Sequence, residues 1–305
     1  MSTQNPLRIL IILAYDPSMT NLLKASLVVD QEVQNLIKRC EALKTKGVVP
    51  SLKVVLVGNN PASLTYTRNK KKFCERFGAE CEILHFPEGL SEKEFLKIVN
   101  GLAYDPSIHG CFVQLPLPAQ LKHLDIGKLI PANKDVDGFH ESNLCGLMAG
   151  DRGEKFLLPC TPKGIITLLH HYQINPSGKK VAIIGRSLIV GKPLALLMAN
   201  YDATVTICHS KTKDIREITK NCEIIISAIG KAKFIDSSYL NDSGQQVIVD
   251  VGTNYDSNNK LCGDVNFDDV IEKVAAISPV PGGVGPMTIL SLGQNLLQAA
   301  EAPWI

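Results

Sequence analysis

Short, almost unbroken apolar runs, each followed by a turn and then a helical pattern, recur along this chain and leave it little choice of architecture. SLKVVLVG (51–58), ECEILHF (80–86) and GCFVQLP (110–116) lie in the first half; KKVAIIG (179–185), TVTIC (204–208), EIIISAIG (223–230) and QVIVDVG (246–252) lie in the second. A strand apolar on both faces must be covered on both, and helices between successive strands supply that cover, which is the logic of parallel sheets made of βαβ units. Helical patterns fall where this requires: about 30–46 ending at Gly47, 61–77, after the capping box Ser91/Glu94, about 162–173, from about Pro193, and in ILSLGQNLLQAAEA. The polar, aperiodic segment ANKDVDGFHESN (132–143) separates the two series. With 305 residues, 45% of them hydrophobic, there is material for two cores, and the expectation is an α/β protein of two doubly wound parallel-sheet domains.

The helix NPASLTYTRNKKKFCERFG (60–78) carries the most chemistry. Asn60 suits the N-cap, Pro61 the first turn and Gly78 the stop. At about 100° per residue, Tyr66, Lys70, Phe73 and Phe77 share one stripe, whereas Arg68, Lys71 and Lys72 point elsewhere. An ammonium held among aromatics is partly desolvated, which makes Lys70 the candidate acid/base group. A lysine snorkelling from a basic helix fits the same spacing.

Thirty-two basic residues nearly cancel thirty acidic ones, so nothing in the overall charge points to nucleic acid or a membrane surface as partner. Nine scattered cysteines without CxxC pairs fit a reducing cytoplasm, and the seven histidines form no metal-binding pattern. The apolar run in MSTQNPLRILIILAYDPS is too short to span a bilayer and unconvincing as a signal peptide. Because Met19 follows directly, residues 1–18 are expected to be an extension outside the core fold.

The strand ending at Gly185, the turn RSLIVG and the following helix together form a candidate phosphate cradle. Gly185 permits the turn, Gly191 permits close approach, and the helix start offers unpaired amides; Arg186 and Ser187 supply phosphate partners. After the next strand the chain reads CHSKT (208–212), with no carboxylate to accept bonds from a ribose 2′-hydroxyl. Ser210, Lys211 and Arg186 suit a 2′-phosphate, so NADP is expected over NAD. PVPGGVGPMT (279–288) is too dense in Pro and Gly for any regular element and is expected to be a tight loop presenting backbone amides.

Taken together, YTRNK, VQLPLP, KDVDGF, PCTPKG, GRSLIVGKP, CHSKT and PVPGGVGPMT closely resemble the bifunctional methylenetetrahydrofolate dehydrogenase/methenyltetrahydrofolate cyclohydrolase family over about residues 20–300. The resemblance implies a folate-binding catalytic domain (19–140) completed by the C-terminal helix (287–305), a Rossmann-type NADP-binding domain (141–286), and a cleft between them. It implies that Tyr66 meets the pterin, that Lys70 is the central catalytic group, that Gln114 hydrogen-bonds Lys70, and that Asp137 accepts bonds from the pterin ring. Thr161, Gly252 and Thr253 would join Gly185, Arg186, Ser187 and Ser210 at the cofactor, with Gly283 and Pro286 against the substrate. The implied reactions are NADP-dependent oxidation of 5,10-methylenetetrahydrofolate and hydrolysis of the methenyl product to 10-formyltetrahydrofolate, by a cytoplasmic homodimer. Two departures stand out: the family's Asp-Gly-Lys turn is missing upstream of Asp30, and Thr253 replaces a usual isoleucine. Rival readings are a monofunctional NAD-dependent dehydrogenase, disfavoured by Lys70 and Gln114 together, and a non-catalytic nucleotide-binding module, which would lack Tyr66, Lys70 and Asp137.

Overall fold

The computed structural model describes residues 20–301; the expected extension, residues 1–18, lies outside the described residues. A two-residue strand, Asn21–Leu22 (β1), and the helix Ala25–Lys44 (α1) precede the first series. That series runs Ser51–Val57 (β2), Pro61–Arg76 (α2), Glu80–Phe86 (β3), Glu92–Tyr104 (α3) and Gly110–Val113 (β4), then the short helices Ile126–Leu129 (α4) and Glu141–Met148 (α5). The second series comprises Cys160–His171 (α6), Lys180–Ile184 (β5), Gly191–Asn200 (α7), Thr204–Cys208 (β6), Ile215–Lys220 (α8), Ile224–Ser227 (β7) and Val247–Asp250 (β8). A hairpin, Asn254–Tyr255 (β9) and Leu261–Cys262 (β10), then Phe267–Val270 (α9) and Ala276–Ile277 (β11), lead to the last helix, Val284–Glu301 (α10).

The strands form a sheet ordered β3-β2-β4 and a six-stranded sheet ordered β1-β11-β8-β7-β5-β6, with every described pairing parallel except the β9–β10 hairpin. The inner strands are buried on both faces, as their unbroken apolar runs require: β7 is buried throughout, and β2 throughout except for Lys53. TVTIC, which looks alike in sequence, is the outer strand β6 and leaves Thr204, Thr206 and Ile207 exposed. Position in the sheet, not composition, decides that difference.

Several boundaries differ from the sequence expectation. Helix α1 starts at Ala25, because Ala25, Val28 and Val29 continue the buried stripe of Val33, Leu36, Cys40 and Leu43. Helix α7 starts at Gly191, which puts Pro193 inside the first turn, where its missing N–H costs nothing. Strand β4 ends at Val113, ahead of Pro116, which has no N–H for a ladder.

The domain assignment needs a correction at the N-terminal side. Residues 21–22 pair with Ala276–Ile277 in the six-stranded sheet, so the first described residues lie in the second sheet and the chain crosses to the first through α1. Nor are there two independent cores. The largest buried cluster runs from Leu36 and Phe77 through Val136 and Ile165 to Ile183 and Leu296, drawing on both sheets. Helix α10 packs against α1, α2 and α6, with Gly164 of α6 so close that an added Cβ would stand 2.9 Å from Met287. Smaller clusters cover the outer faces, around Phe95 and Val99 on one side and Ile225 and Ile248 on the other.

Candidate active site

Helix α2 begins as its sequence dictates: Asn60 caps it by accepting from the Ser63 N–H at 3.0 Å. The Ser63 hydroxyl donates to the Leu115 carbonyl (3.2 Å), pinning the helix to the loop after β4. This orientation buries Lys70, which is only 4% exposed. Its Nζ stands 3.7 Å from the Phe112 ring centroid, 4.9 Å from that of Tyr66, and 3.8 Å from Asp137 Oδ1. The aromatic setting read from the stripe is therefore present, but its main member is Phe112 of β4. Phe73 and Phe77 turn towards α10, where a Cβ on Gly293 would lie 2.9 Å from each ring. An i, i+4, i+7 pattern cannot reveal a partner from another strand or a counter-charge from a distant loop. Lys71 instead pairs with Glu75 at the surface, and Lys72 is exposed.

The hydrogen bond expected from Gln114 to Lys70 is not formed. Gln114 Nε2 donates to the Leu115 carbonyl at 2.8 Å, and its Oε1 is buried without a partner. A lone buried acceptor costs about 1–3 kcal/mol, so the side chain stands short of one donor.

The two acids of KDVDG divide their work. Asp135 is 5% exposed and accepts from the Gly138 and His140 amides and the Asn143 amide group, so it is the loop brace. Burial still pushes its carboxyl up to about 6. Asp137 keeps 22% of its side chain exposed and faces Lys70. Sequence reasoning singled out Asp137 and missed Asp135; the signal available was the turn chemistry of an Asp three residues before a glycine. Burial, reinforced by Asp137 and Cys160, raises the Tyr66 phenol well above its ordinary range, which keeps it an O–H donor.

A cavity of about 400 Å³ opens between the two series, lined by Tyr66 and Thr161 on one side, by Val190, Gly252 and Thr253 on another, and by the loop from Pro279 to Gly283 with the first turn of α10. Gly283 lies in the loop as expected, but the expected loop over 279–288 ends there: Val284, Gly285 and Pro286 form the first turn of α10, where the Pro286 ring needs no N–H, and Thr161 shares a hydrogen bond with Thr288 (3.1 Å). A Cβ on Gly283 would meet the Pro279 carbonyl at 2.6 Å, so the loop closes on itself only through glycine.

The cradle fits a dinucleotide phosphate. Gly185 has φ +130° and lies where a Cβ would strike the Ala228 carbonyl at 2.3 Å. Gly191, read from the sequence as allowing a ligand close, allows backbone on backbone: its Cβ would meet the Gly185 carbonyl at 2.3 Å. The ten-residue α7 therefore starts directly over the end of β5, its first amides on the turn. Ser187 Oγ accepts from the Val190 and Gly191 amides, which leaves its hydroxyl hydrogen for a ligand. Arg186, Ser210 and Lys211 are exposed around this turn and the end of β6.

Two buried carboxylates that sequence reasoning did not find brace the loops after β7 and β8. Asp264, 0% exposed, accepts from the Ile229, Gly230 and Lys231 amides, the Ser227 hydroxyl and the Asn254 amide. Asp250, 3% exposed, accepts from the amides of Gly252, Asp264 and Val265, and burial pushes it up to about 6. Hydrogen bonds to a charged group contribute about 1.5–3 kcal/mol each, enough in such numbers to offset a desolvation of several kcal/mol.

A parallel sheet with a glycine-built βα cradle, facing a buried lysine–carboxylate pair across a cleft, defines a nicotinamide-nucleotide dehydrogenase with a second catalytic domain. Residues 23–137 match the tetrahydrofolate dehydrogenase/cyclohydrolase catalytic domain and residues 159–303 the NAD(P)-binding domain of the same family. The chain is 47% identical over 286 residues to the bifunctional protein FolD of Agathobacter rectalis, covering 93% of this chain and 100% of that one. The bifunctional FolD methylenetetrahydrofolate dehydrogenase/cyclohydrolase of Campylobacter jejuni superposes with a TM-score of 0.87 at 41% identity, covering 92% and 99% of the two chains. A Trypanosoma brucei FolD, complexed with NADP cofactor and inhibitor, gives 0.84 at 31% identity, covering 92% and 97%. The chain belongs to the tetrahydrofolate dehydrogenase/cyclohydrolase family and has the activities of both domains.

Proposed function

We propose that one cleft serves both reactions, the oxidation of 5,10-methylenetetrahydrofolate and the hydrolysis of the methenyl product to 10-formyltetrahydrofolate, with Lys70 as the central group. The observation that carries this reading is the Lys70 amine, 4% exposed, between two aromatic faces and the Asp137 carboxylate, beside a cavity that Tyr66 lines. Asp137 accepts from the amino-pyrimidine edge of the pterin, an edge made of donors. Tyr66 supports the ring with its face and offers its O–H. Lys70 Nζ receives and returns the protons that accompany water addition and ring opening, a contribution typically of about 10²- to 10⁴-fold. The unpaired Gln114 Oε1 takes a donor from the substrate or from the Lys70 amine once the substrate is in place.

NADP supplies the hydride acceptor when bound. Gly185 and Gly191 bring the α7 amides to its pyrophosphate, and Ser187 donates there. Arg186, Ser210 and Lys211 meet the 2′-phosphate, while Thr161, Gly252 and Thr253 flank the nicotinamide side. The folate lies under Gly283 and Pro286. The enzyme works in the cytoplasm as a homodimer; among the described residues no helix is long and apolar enough to cross a membrane.

Steady-state assays of methylenetetrahydrofolate oxidation with each nucleotide test the cofactor assignment. NADP is expected to exceed NAD in kcat/KM by at least about tenfold, or about 1.4 kcal/mol. Ser210→Asp should then weaken NADP use most, by repulsion of the 2′-phosphate. Equal or reversed preference in the unaltered enzyme would sink the assignment.

A further inference from the structure

Asn295 lies on α10, packed against the loop that carries Asp137, and is 0% exposed. Its three polar positions are all used. Nδ2 donates to the Val136 carbonyl and to the Leu158 carbonyl, both at 2.8 Å, while Oδ1 accepts from Lys163 Nζ at 2.7 Å. Val136 immediately precedes Asp137. The Asp137 carbonyl in turn accepts from the Cys160 amide (3.2 Å), and the Cys160 thiol donates to the Val136 carbonyl at 3.1 Å. The backbone on either side of Asp137 is thus held by one buried amide and by the first residue of α6.

An amide bonds two carbonyls only when its NH₂ faces them. Lys163, which has donors and no acceptor, dictates that orientation by occupying Oδ1. A flipped Asn295 would set its oxygen against two carbonyl oxygens and its NH₂ against an amine, leaving several buried groups unsatisfied at about 1–3 kcal/mol each. There is no slack behind the loop to absorb a shift. A Cβ on Gly138 would stand 2.4 Å from the Leu158 carbonyl carbon, and one on Gly110 2.5 Å from Val136 Cγ1.

We propose that Lys163 and Asn295 are positioning residues for catalysis: Lys163 fixes the amide of Asn295, and Asn295 fixes the backbone that aims the Asp137 carboxylate at Lys70 and the substrate. This rests on the role given to Asp137 above. It makes the middle of the C-terminal helix, well beyond Pro286, part of the machinery, and it joins α6 of the second series to the carboxylate of the first.

The test is a double-mutant cycle on the full chain, reading kcat for methenyltetrahydrofolate hydrolysis alongside melting temperature and NADP affinity. Lys163→Met should lower kcat by about tenfold or more, as sub-ångström misplacement of a reacting group does, with NADP affinity unchanged. Lys163→Arg, which restores a donor, should recover most of the loss. Asn295→Asp keeps the acceptor for Lys163 but turns an oxygen towards the two carbonyls, and should lose activity as Lys163→Met does. In an Asp137→Asn background, Lys163→Met should add less than about twofold, because the residue acts through Asp137. If the Lys163→Met effect multiplies undiminished onto Asp137→Asn, or if Lys163→Met keeps the unaltered kcat, the positioning role is overturned. If Asp137→Asn alone retains full activity, the role of Asp137 itself is wrong and the inference falls with it.

Discussion

At the residue scale the sharpest contrast is among three consecutive lysines. Lys70 is buried against Phe112, Tyr66 and Asp137, Lys71 pairs with Glu75 and Lys72 is exposed. Lys70→Met keeps the apolar stem and removes the amine. Folding should survive while methenyl hydrolysis falls by about 10²-fold or more, whereas Lys71→Met and Lys72→Met should stay within a few-fold of the unaltered enzyme. Equal loss in all three would return Lys70 to the rank of a surface lysine. The periodicity of α2 is enough to single out this lysine. The Asp137 counter-charge comes from 67 positions along the chain and is invisible to any helical pattern.

At the element scale, function hangs on where strands end. Asp250 closes β8 and Asp135 opens the loop that carries Asp137, and burial pushes each carboxyl up to about 6. A carboxyl whose native pKa lies above its unfolded value, about 4, binds more protons folded than unfolded in that window. The stability it contributes is therefore full below about pH 4 and is lost as pH rises through 6. Asp250→Asn removes this dependence along with part of the amide binding. The stability gap between variant and unaltered protein should accordingly narrow by up to about 2 kcal/mol from pH 4.5 to 7, in urea unfolding followed by circular dichroism. A gap that widens with pH would show that the amides, not burial, dominate at this site.

At the scale of the whole molecule, the two sheets share one core and the chain crosses between them more than once. Residues 20–23 belong to the second sheet: the Thr20 hydroxyl bonds the Ile271 and Val274 carbonyls, Asn21 N–H donates to Ala275 (2.8 Å) and Leu23 N–H to Ile277 (2.9 Å). A protein starting at Met19 keeps all of these bonds and should fold with full activity. One starting at Lys24 loses β1, and its melting temperature should drop by several degrees, as about 1–2 kcal/mol of lost hydrogen bonding and burial entails. Loss of solubility, or of more than half the activity, on starting at Met19 would show that the LRILIIL run belongs to the core or to an interface.

The sequence alone determined the principal strands and helices of both series, the parallel sheets, the lysine on the buried face of α2 and the glycine cradle, because each of these is local: unbroken apolar runs, helical spacing, caps and turn residues act within a few positions of themselves. Even the capping box at Ser91 and Glu94 forms as written. Tertiary structure decided what depends on residues far apart. It put Phe112 rather than Phe73 against Lys70, gave the bracing to Asp135, left Gln114 Oε1 without a partner, drew Asp250, Asp264 and Asn295 inside, and set Lys163 on Asn295. A buried polar side chain is stable only where distant chain segments bring it partners, so its role is fixed by the packing that assembles them.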